Sequence, residues 1–465
     1  MLKPCFLYFG LYPEDHEIFT FRLINLWAAE GFIHGSGVRA VEDVGQDYLN
    51  QLIGRNLIQV VKRRFDGTVR CCRIHDILHD LSISKAREMN FLTTLNNVAT
   101  SADCIAPRRV TTSFHSDAIN YLSSNYQIPK LRSFLCFDDL DSSGVKLPLR
   151  NFKSLRVLIL CYMGKQRARM NEIVKLKHLN HLELGGRTVV LPYAISNLEN
   201  LLTLDLHQCN GVILPEVIWK MEQLRHIRLP LLCWAPSVRG FHLVRHGFHP
   251  FEVSLPNLQT LHNLPVKVFE ANWLHRLDSL RRLRVRLITK HIIEVLSSAN
   301  SLSQKLEELR IIRPAYMKSA LDLSRYVSLR KLYMNVSGIV DFARHDKLPT
   351  CLTELVLEHT RLEMDPMVTL KKLPRLKILI FGRDSYLGEK MVCSGEADSF
   401  PQLEVLKIEA RIPGWMYSAQ KPELRLKEFV AEEGAMPKLK DLTLTQSIPR
   451  MRVPVRIKNI ITVAI

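Results

Sequence analysis

The chain has 465 residues, of which 47% are hydrophobic and 24% charged, the balance of a folded protein with room for two to four domains. Its formal net charge of +18 admits nucleic acid, an anionic membrane surface or an acidic protein as partner and by itself selects none of them. Ten cysteines include no C-x-x-C pair and no spacing that frames a zinc site or a disulfide module, which points to a reduced, intracellular chain. There is no run of about 18 apolar residues to span a membrane.

In chain order, Cys5 to Ile18 opens with an apolar run closed by Pro13 and the acidic Glu14 and Asp15. It mimics a signal peptide but lacks a small-x-small cleavage site, so it reads as a buried helix, with Asp15 placed to cap the next one. Phe21, Ile24, Trp27 and Ala28 share one face of that second helix, and Gly31 is placed to end it. Val41, Val44, Tyr48 and Leu52 give a third amphipathic helix. Leu57 to Val61 and Thr68 to Ile74 read as strands joined through Asp66-Gly67, a hairpin turn signal. A last helix runs from Ile77 to about Arg87. Helices followed by a hairpin imply a small, mostly α winged helix over residues 1–91, with a polar linker at 92–106.

From there the frame L-x-x-L-x-L recurs. Its best copy sets Leu201, Leu204 and Leu206 before Cys209, and copies start at Leu131, Leu155, Leu179, Leu224, Leu280, Leu306, Leu329, Leu352, Leu376, Leu403 and Leu439, with a blurred one at Leu258. These thirteen starts lie 22 to 36 residues apart. This is a leucine-rich-repeat pattern, in which one unit cannot close its own core and must stack parallel strands with its neighbours. Residues 107–465 are therefore expected to form a curved solenoid with a parallel sheet on its concave face, an α/β architecture. The period of two aims the residues between the leucines, such as Thr203 and Asp205, at that face, where a macromolecular partner would bind.

Four ordered motifs carry a resemblance: Cys5 to Ile18, W-A-A-E-G-F-I at Trp27 to Ile33, Y-L-N-Q-L-I-G-R-N-L-I at Tyr48 to Ile58, and C-R-I-H-D-I-L-H-D-L at Cys72 to Leu81. With Arg108-Arg109-Val110 and the irregular repeats, they resemble the winged-helix (ARC2) region and repeats of plant NB-ARC leucine-rich-repeat disease-resistance proteins of the coiled-coil class. The resemblance implies that Ile74-His75-Asp76 matches the family's Met-His-Asp motif, in which His75 and Asp76 would sense bound ADP or ATP. The family also carries a coiled coil and a nucleotide-binding domain. No G-x-x-x-x-G-K-[ST] phosphate loop occurs in this sequence, so it is expected to be a partial version of that architecture, with no cofactor held by this chain alone.

Other candidate sites give way to plainer readings. Without the family, His75 and Asp76 read as a satisfied core histidine beside a helix-capping aspartate. His75 and His79 sit four apart like a zinc protease pair, but the intervening acid and a third ligand are wrong for it. Phe134 to Asp139 has the shape of a Walker B strand, yet lies in register with the first repeat. DNA binding is disfavoured because the helix before the wing offers Glu42, Asp43 and Asp47 to phosphate. Arg282, Arg284 and Arg286 alternate with Leu283 and Val285, which places a basic stripe on the concave side, suited to an acidic partner or to another domain of the same family.

The reading is a non-enzymatic, cytoplasmic immune-receptor fragment. A pathogen effector or a guarded host protein would bind its repeats, and the winged helix would contact a nucleotide-binding domain and relay its nucleotide state. A stand-alone repeat adaptor or decoy is the alternative, with a DNA-binding regulator third.

Overall fold

Residues Cys5 to Leu11 are apolar on every side and have no face to offer water, and in the structure, a computed structural model, they are swallowed by a helical bundle. The structure describes residues 2–35, 39–64, 66–94, 108–112, 130–139, 149–163, 166–231, 233–234, 254–263, 276–286, 290–298, 304–312, 319–336, 339–340, 345–394, 399–409, 426–444, 448 and 450–463. Most of the expected linker, residues 95–106, lies outside them. The chain forms two compact units, Met1–Phe248 with Glu252–Leu258, and His249–Phe251 with Gln259–Ile465. The helical region thus shares its unit with the first repeats.

In that first unit, helix α1 (Leu2–Leu7) runs into a buried 3-10 turn (Tyr8–Leu11). Strand β1 (Ile18–Phe19) leads into α2 (Thr20–Glu30), and α3 (Val41–Gly54) follows. Gly31 ends α2 as expected: at φ 77° its N–H reaches the Ala28 carbonyl, and the Phe32 N–H reaches that of Trp27. Asp15 does not cap α2. It sits at φ 56° and its carboxylate accepts a hydrogen bond from Arg73 at 3.0 Å, while the cap position is Phe19, which has no side-chain acceptor. Asp15 lies in a turn, and four residues ending in β1 separate it from the helix start at Thr20. Strands β2 (Gln59–Arg63) and β3 (Val69–Arg73) form the expected antiparallel wing, with Gly67 at φ 80° in its turn, and β1 pairs on the other side of β3. Helix α4 (Asp76–Glu88) closes the winged helix.

The repeats of the first unit stack strands β4 (Thr93–Thr94), β5 (Arg109–Thr112), β6 (Ser133–Asp139), β7 (Val157–Met163), β8 (His181–Val190), β9 (Thr203–Ile213) and β10 (His226–Arg228) in one parallel ladder, with β11 (Cys233–Trp234) beside the end of β9. Gly185 lets β8 shift register: a Cβ there would lie 2.2 Å from the Cys161 carbonyl oxygen. In the second unit, β12 (Thr260–His262), β13 (Arg282–Arg286) and β14 (Glu308–Ile312) begin a second parallel ladder. Strand β15 (Ser319–Ala320) pairs in a side sheet with β17 (Ile339–Val340), and between them β16 (Lys331–Asn335) continues the ladder. The ladder goes on through β18 (Glu354–Glu358) and β19 (Ile378–Phe381). A second side sheet holds β20 (Lys390–Cys393), β22 (Glu428–Ala431) and β24 (Arg450–Arg452). Strands β21 (Val405–Ile408), β23 (Asp441–Leu444) and β25 (Ile461–Val463) complete the ladder.

Each of the thirteen frame starts carries a ladder strand two residues on, the blurred one at Leu258 included, and the frame leucines are buried. Their side chains fill the core that adjacent strands share, so each strand depends on its neighbours for closure. Leu204→Ala is therefore expected to destabilise its unit by about 2–5 kcal/mol through lost burial and a cavity. Glu199→Ala, exposed on the turn before the same strand, is expected to shift stability by less than about 0.5 kcal/mol. Equal melting shifts for the two would mean that the strand phase is misplaced.

Candidate functional site

The end of β3 and the start of α4 place the His-Asp motif. Ile74 is buried and anchors the strand end, whereas His75 and Asp76 are both exposed and neither side chain is hydrogen bonded to a described residue. The capping residue of α4 is His75, in extended backbone (φ −77°, ψ 145°), and Asp76 is the first helical residue, so the expected capping role of Asp76 shifts by one position. The carboxylate still sits in the first turn, where the helix dipole favours it. His79 points the other way, into the core, where Nε2 lies 3.0 Å from the Tyr12 carbonyl oxygen. One histidine faces water and the other is spent on the backbone, so the pair does not chelate; no cluster able to hold a metal ion occurs among the described residues. Strand β6 is a repeat strand between β5 and β7, as the frame implied.

A second surface is built where α2 and α3 lie on the strand face of β5 to β10. Helix α2 is buried nearly all round. One side packs into the winged-helix core through Leu23 and Trp27, and the same core takes in Leu135, Val157 and Ile159 from the repeat strands. Around that apolar centre stand three charged contacts. Glu30, at the end of α2, receives Arg109 Nε and Nη2 at 2.9 and 2.7 Å, and Ser133 Oγ also donates to it. The Arg109 guanidinium lies 4.1 Å from the Phe91 ring centre. Arg22 donates from Nε to Glu183 at 2.8 Å. Glu42, in the first turn of α3, receives Arg225 Nε and Nη2 at 2.9 and 2.8 Å, and His226 Nε2 lies 3.1 Å from it. Burial pushes the Glu42 carboxyl up, but the hydrogen bonds of His226 and Arg225 outweigh it and hold the group below the ordinary carboxylate range.

Thr203 and Asp205 were expected on an open face, and the structure corrects that. They do point away from the repeat core, but each is only 2% exposed. Asp205 is held by Arg228 and His207, both at 2.6 Å, and Arg228 in turn lies over the Phe21 ring of α2. A strand face covered by helices is no longer a docking surface. The continuous apolar runs Phe134 to Phe137 and Val157 to Cys161 carried the signal for this cover, because a strand buried on both faces loses its polar alternation. Nothing local marked Arg22, Glu30 or Glu42, whose partners lie 161, 79 and 183 positions away.

In the second unit the alternation is kept. Leu283 and Val285 are buried while Arg282, Arg284 and Arg286 are half-buried on the opposite face, the phase the sequence predicts. The stripe is not purely basic, however. Arg282 stands in register with Glu308 of β14, and Glu308 is followed in its row by Lys331 and Glu354. Burial raises the Glu308 carboxyl, and Arg310 with Arg282 brings it below its usual range. Sequence reading saw one strand at a time and missed this alternation across strands.

Comparison with known proteins places these features. Residues 11–82 match the family described as disease resistance protein winged helix domain, and residues 130–461 match the leucine-rich repeat region. The ToMV susceptible protein tm-2 of Solanum lycopersicum is 34% identical over 463 residues, 95% of this chain and 51% of that protein. The ToMV resistance protein Tm-2(2) of the same species is 34% identical over 98% of this chain and 53% of its own length. Disease resistance RPP8-like protein 3 of Arabidopsis thaliana is 32% identical over 95% of this chain and 47% of its own. The chain thus spans about half the length of the relatives it matches. Among solved structures, a leucine-rich-repeat protein of Leptospira interrogans covers 82% of this chain and 98% of its own at 16% identity and a TM-score of 0.38. A winged helix and a repeat region that match these families, joined in the same order over nearly the whole chain, make this protein a member of the plant disease-resistance family.

Proposed function

We propose that the chain works in plant defence as a non-enzymatic, cytoplasmic part of an immune receptor, recognising a pathogen effector or a guarded host protein through its repeats. The winged helix relays the nucleotide state of a nucleotide-binding domain that the family supplies. The observation that supports this reading most is the exposed His75-Asp76 pair at the N-terminus of α4, which lies within the matched winged-helix region and resembles the family's nucleotide motif. Imidazole and helix N–H groups there suit a phosphate oxygen, whereas the Asp76 carboxylate does not. These residues therefore contribute one contact to a nucleotide and not a binding site, so ADP or ATP is held by the nucleotide-binding domain. In that setting His75 donates to a phosphate and Asp76 steadies the helix start, and both favour the off state.

The test joins this chain to the nucleotide-binding domain of a relative and reads cell death after transient expression in leaves. A lost charge-assisted hydrogen bond is worth about 1.5–3 kcal/mol, enough to move a finely poised switch from mostly off to substantially on. His75→Ala in the chimera, which removes that phosphate contact, is expected to signal without an effector, and the same change in the chain alone to stay silent. A chimera as quiet as its parent at equal protein level would reduce the motif to a structural helix start.

A further inference from the structure

The first unit shows what a strand face of this protein takes. At the start of β10, Arg225 just before the strand and His226 within it precede the inward Ile227, Arg228 follows, and Arg225 with His226 grips the carboxylate of Glu42 on helix α3. In β5, Arg109 precedes the inward Val110 and grips Glu30 on helix α2. Both ligands are carboxylates carried on helices, and both are met by Arg or His side chains one or two positions before an inward residue. Strand β13 with the residue before it repeats that set: Arg281 and Arg282 precede the inward Leu283, and Arg284 follows. Arg284 stands in register with His262 of β12 and Arg310 of β14, so two arginines and a histidine line one row across three strands.

The carboxylates within this patch are outnumbered. Arg281 meets Glu307 at 2.9 Å and Arg310 meets Glu308 at 2.5 Å. Residues 259–318 nevertheless hold eleven Lys and Arg against five Asp and Glu, while residues 319–465 hold 23 against 18. In sequence, the positive excess is thus densest in the stretch that carries β12 to β14. Building on the recognition reading above, we propose that the strand face of β12 to β14 binds an acidic helix of a partner protein, its carboxylates meeting Arg282, Arg284 and Arg310 as Glu42 meets Arg225 and His226.

The interleaved acids select this ligand over nucleic acid. Glu308 and Glu354 sit among the cations in one row of the sheet. A duplex presents a charge about every 1.7 Å and cannot avoid them, whereas a helix with carboxylates one turn apart can. Beside the cations, Arg310 lies over the Tyr333 ring at 5.8 Å, which gives the apolar side of such a helix an aromatic surface.

The test uses the full chain at 150 mM salt and fluorescence anisotropy. The probe is a synthetic helical peptide with Glu on one face and Leu on the other; its Glu→Gln counterpart, a duplex RNA and phosphoinositide vesicles are compared with it. The Glu peptide is expected to bind, the Gln peptide at least about tenfold more weakly. Arg284→Glu with Arg310→Glu is expected to weaken the Glu peptide by at least about tenfold, and Lys440→Glu, just before β23, to leave it unchanged. Arg310→Ala alone, about half exposed, serves as the mild variant if the double reversal lowers the melting temperature, with a loss of about threefold expected. Equal binding of the Gln peptide, indifference to both Arg310 variants, or tighter binding of RNA or vesicles through the same residues would each overturn the proposal. None of those results touches the leaf assay above, so the defence role is judged separately.

Discussion

Glu30→Ala is expected to destabilise the first unit by about 3–5 kcal/mol and to lower its melting temperature by on the order of 10 °C. The reason lies in what is left behind. The Arg109 side chain is 4% exposed, wedged between Phe91 and the strand face, and its Nε and Nη2 are both spent on Glu30. With the carboxylate gone, water cannot reach the guanidinium and only the Phe91 carbonyl, 3.2 Å from Nη1, still accepts from it. The pair itself need not be worth that much, since burying two charges costs about what their attraction returns. Glu30→Leu combined with Arg109→Met is therefore expected to recover most of the loss. A double variant no better than Glu30→Ala would show that the pair is itself strongly stabilising, contrary to this account.

Acid is expected to act on the same surface. Burial raises the carboxyls of Glu42, Glu183 and Asp205, yet each ends below its ordinary range: Glu42 through His226 and Arg225, Glu183 through Arg22 and His181, Asp205 through Arg228 and His207. A group whose folded value is depressed adds stability above its unfolded value, about 4.3 for Glu and 3.9 for Asp, and that stability is lost as pH falls toward the folded value. These three therefore leave the melting temperature flat from about pH 8 to 5 and pull it down steeply below about pH 4. The half-exposed pairs Arg39–Asp47 and Lys62–Glu17 add little to this, because water screens them. Glu42→Gln is expected to lower stability at neutral pH and to make the acid limb shallower, measured by thermal melts from pH 3 to 8. An acid limb as steep as that of the parent would rule Glu42 out as a contributor.

Much of the fold is legible residue by residue where a local rule decides. The leucine frame located thirteen ladder strands because an inward side chain every second residue is a property of the strand itself. It passed over β4, β5 and β25, where Thr93-Thr94, Arg109–Thr112 and Ile461–Val463 lack the full set of leucines and join the ladder by pairing with a neighbour. Gly31 could be placed because a helix end at positive φ favours glycine, and the Asp66-Gly67 turn for a similar reason. Asp15 could not, because four residues separate it from the helix start, and no local pattern counts them.

The sequence by itself determined the winged helix and the repeat phase, since both rest on spacings of a few residues, and its motifs carried the resemblance to the family. Only the tertiary structure decided which strand faces are open. The period of two tells a side chain to leave the repeat core but not what lies above it. Thr203 and Asp205 leave that core and are buried, Asp205 on an arginine that lies over Phe21 of α2, whereas Arg284 leaves it half-buried beside His262 and Arg310. The contacts that decide this join Glu30 to Arg109, Arg22 to Glu183 and Glu42 to Arg225, and each is a complementarity of charge and shape between residues at least 79 positions apart. Such a match exists only once both elements have folded and the helices have come to rest on the sheet.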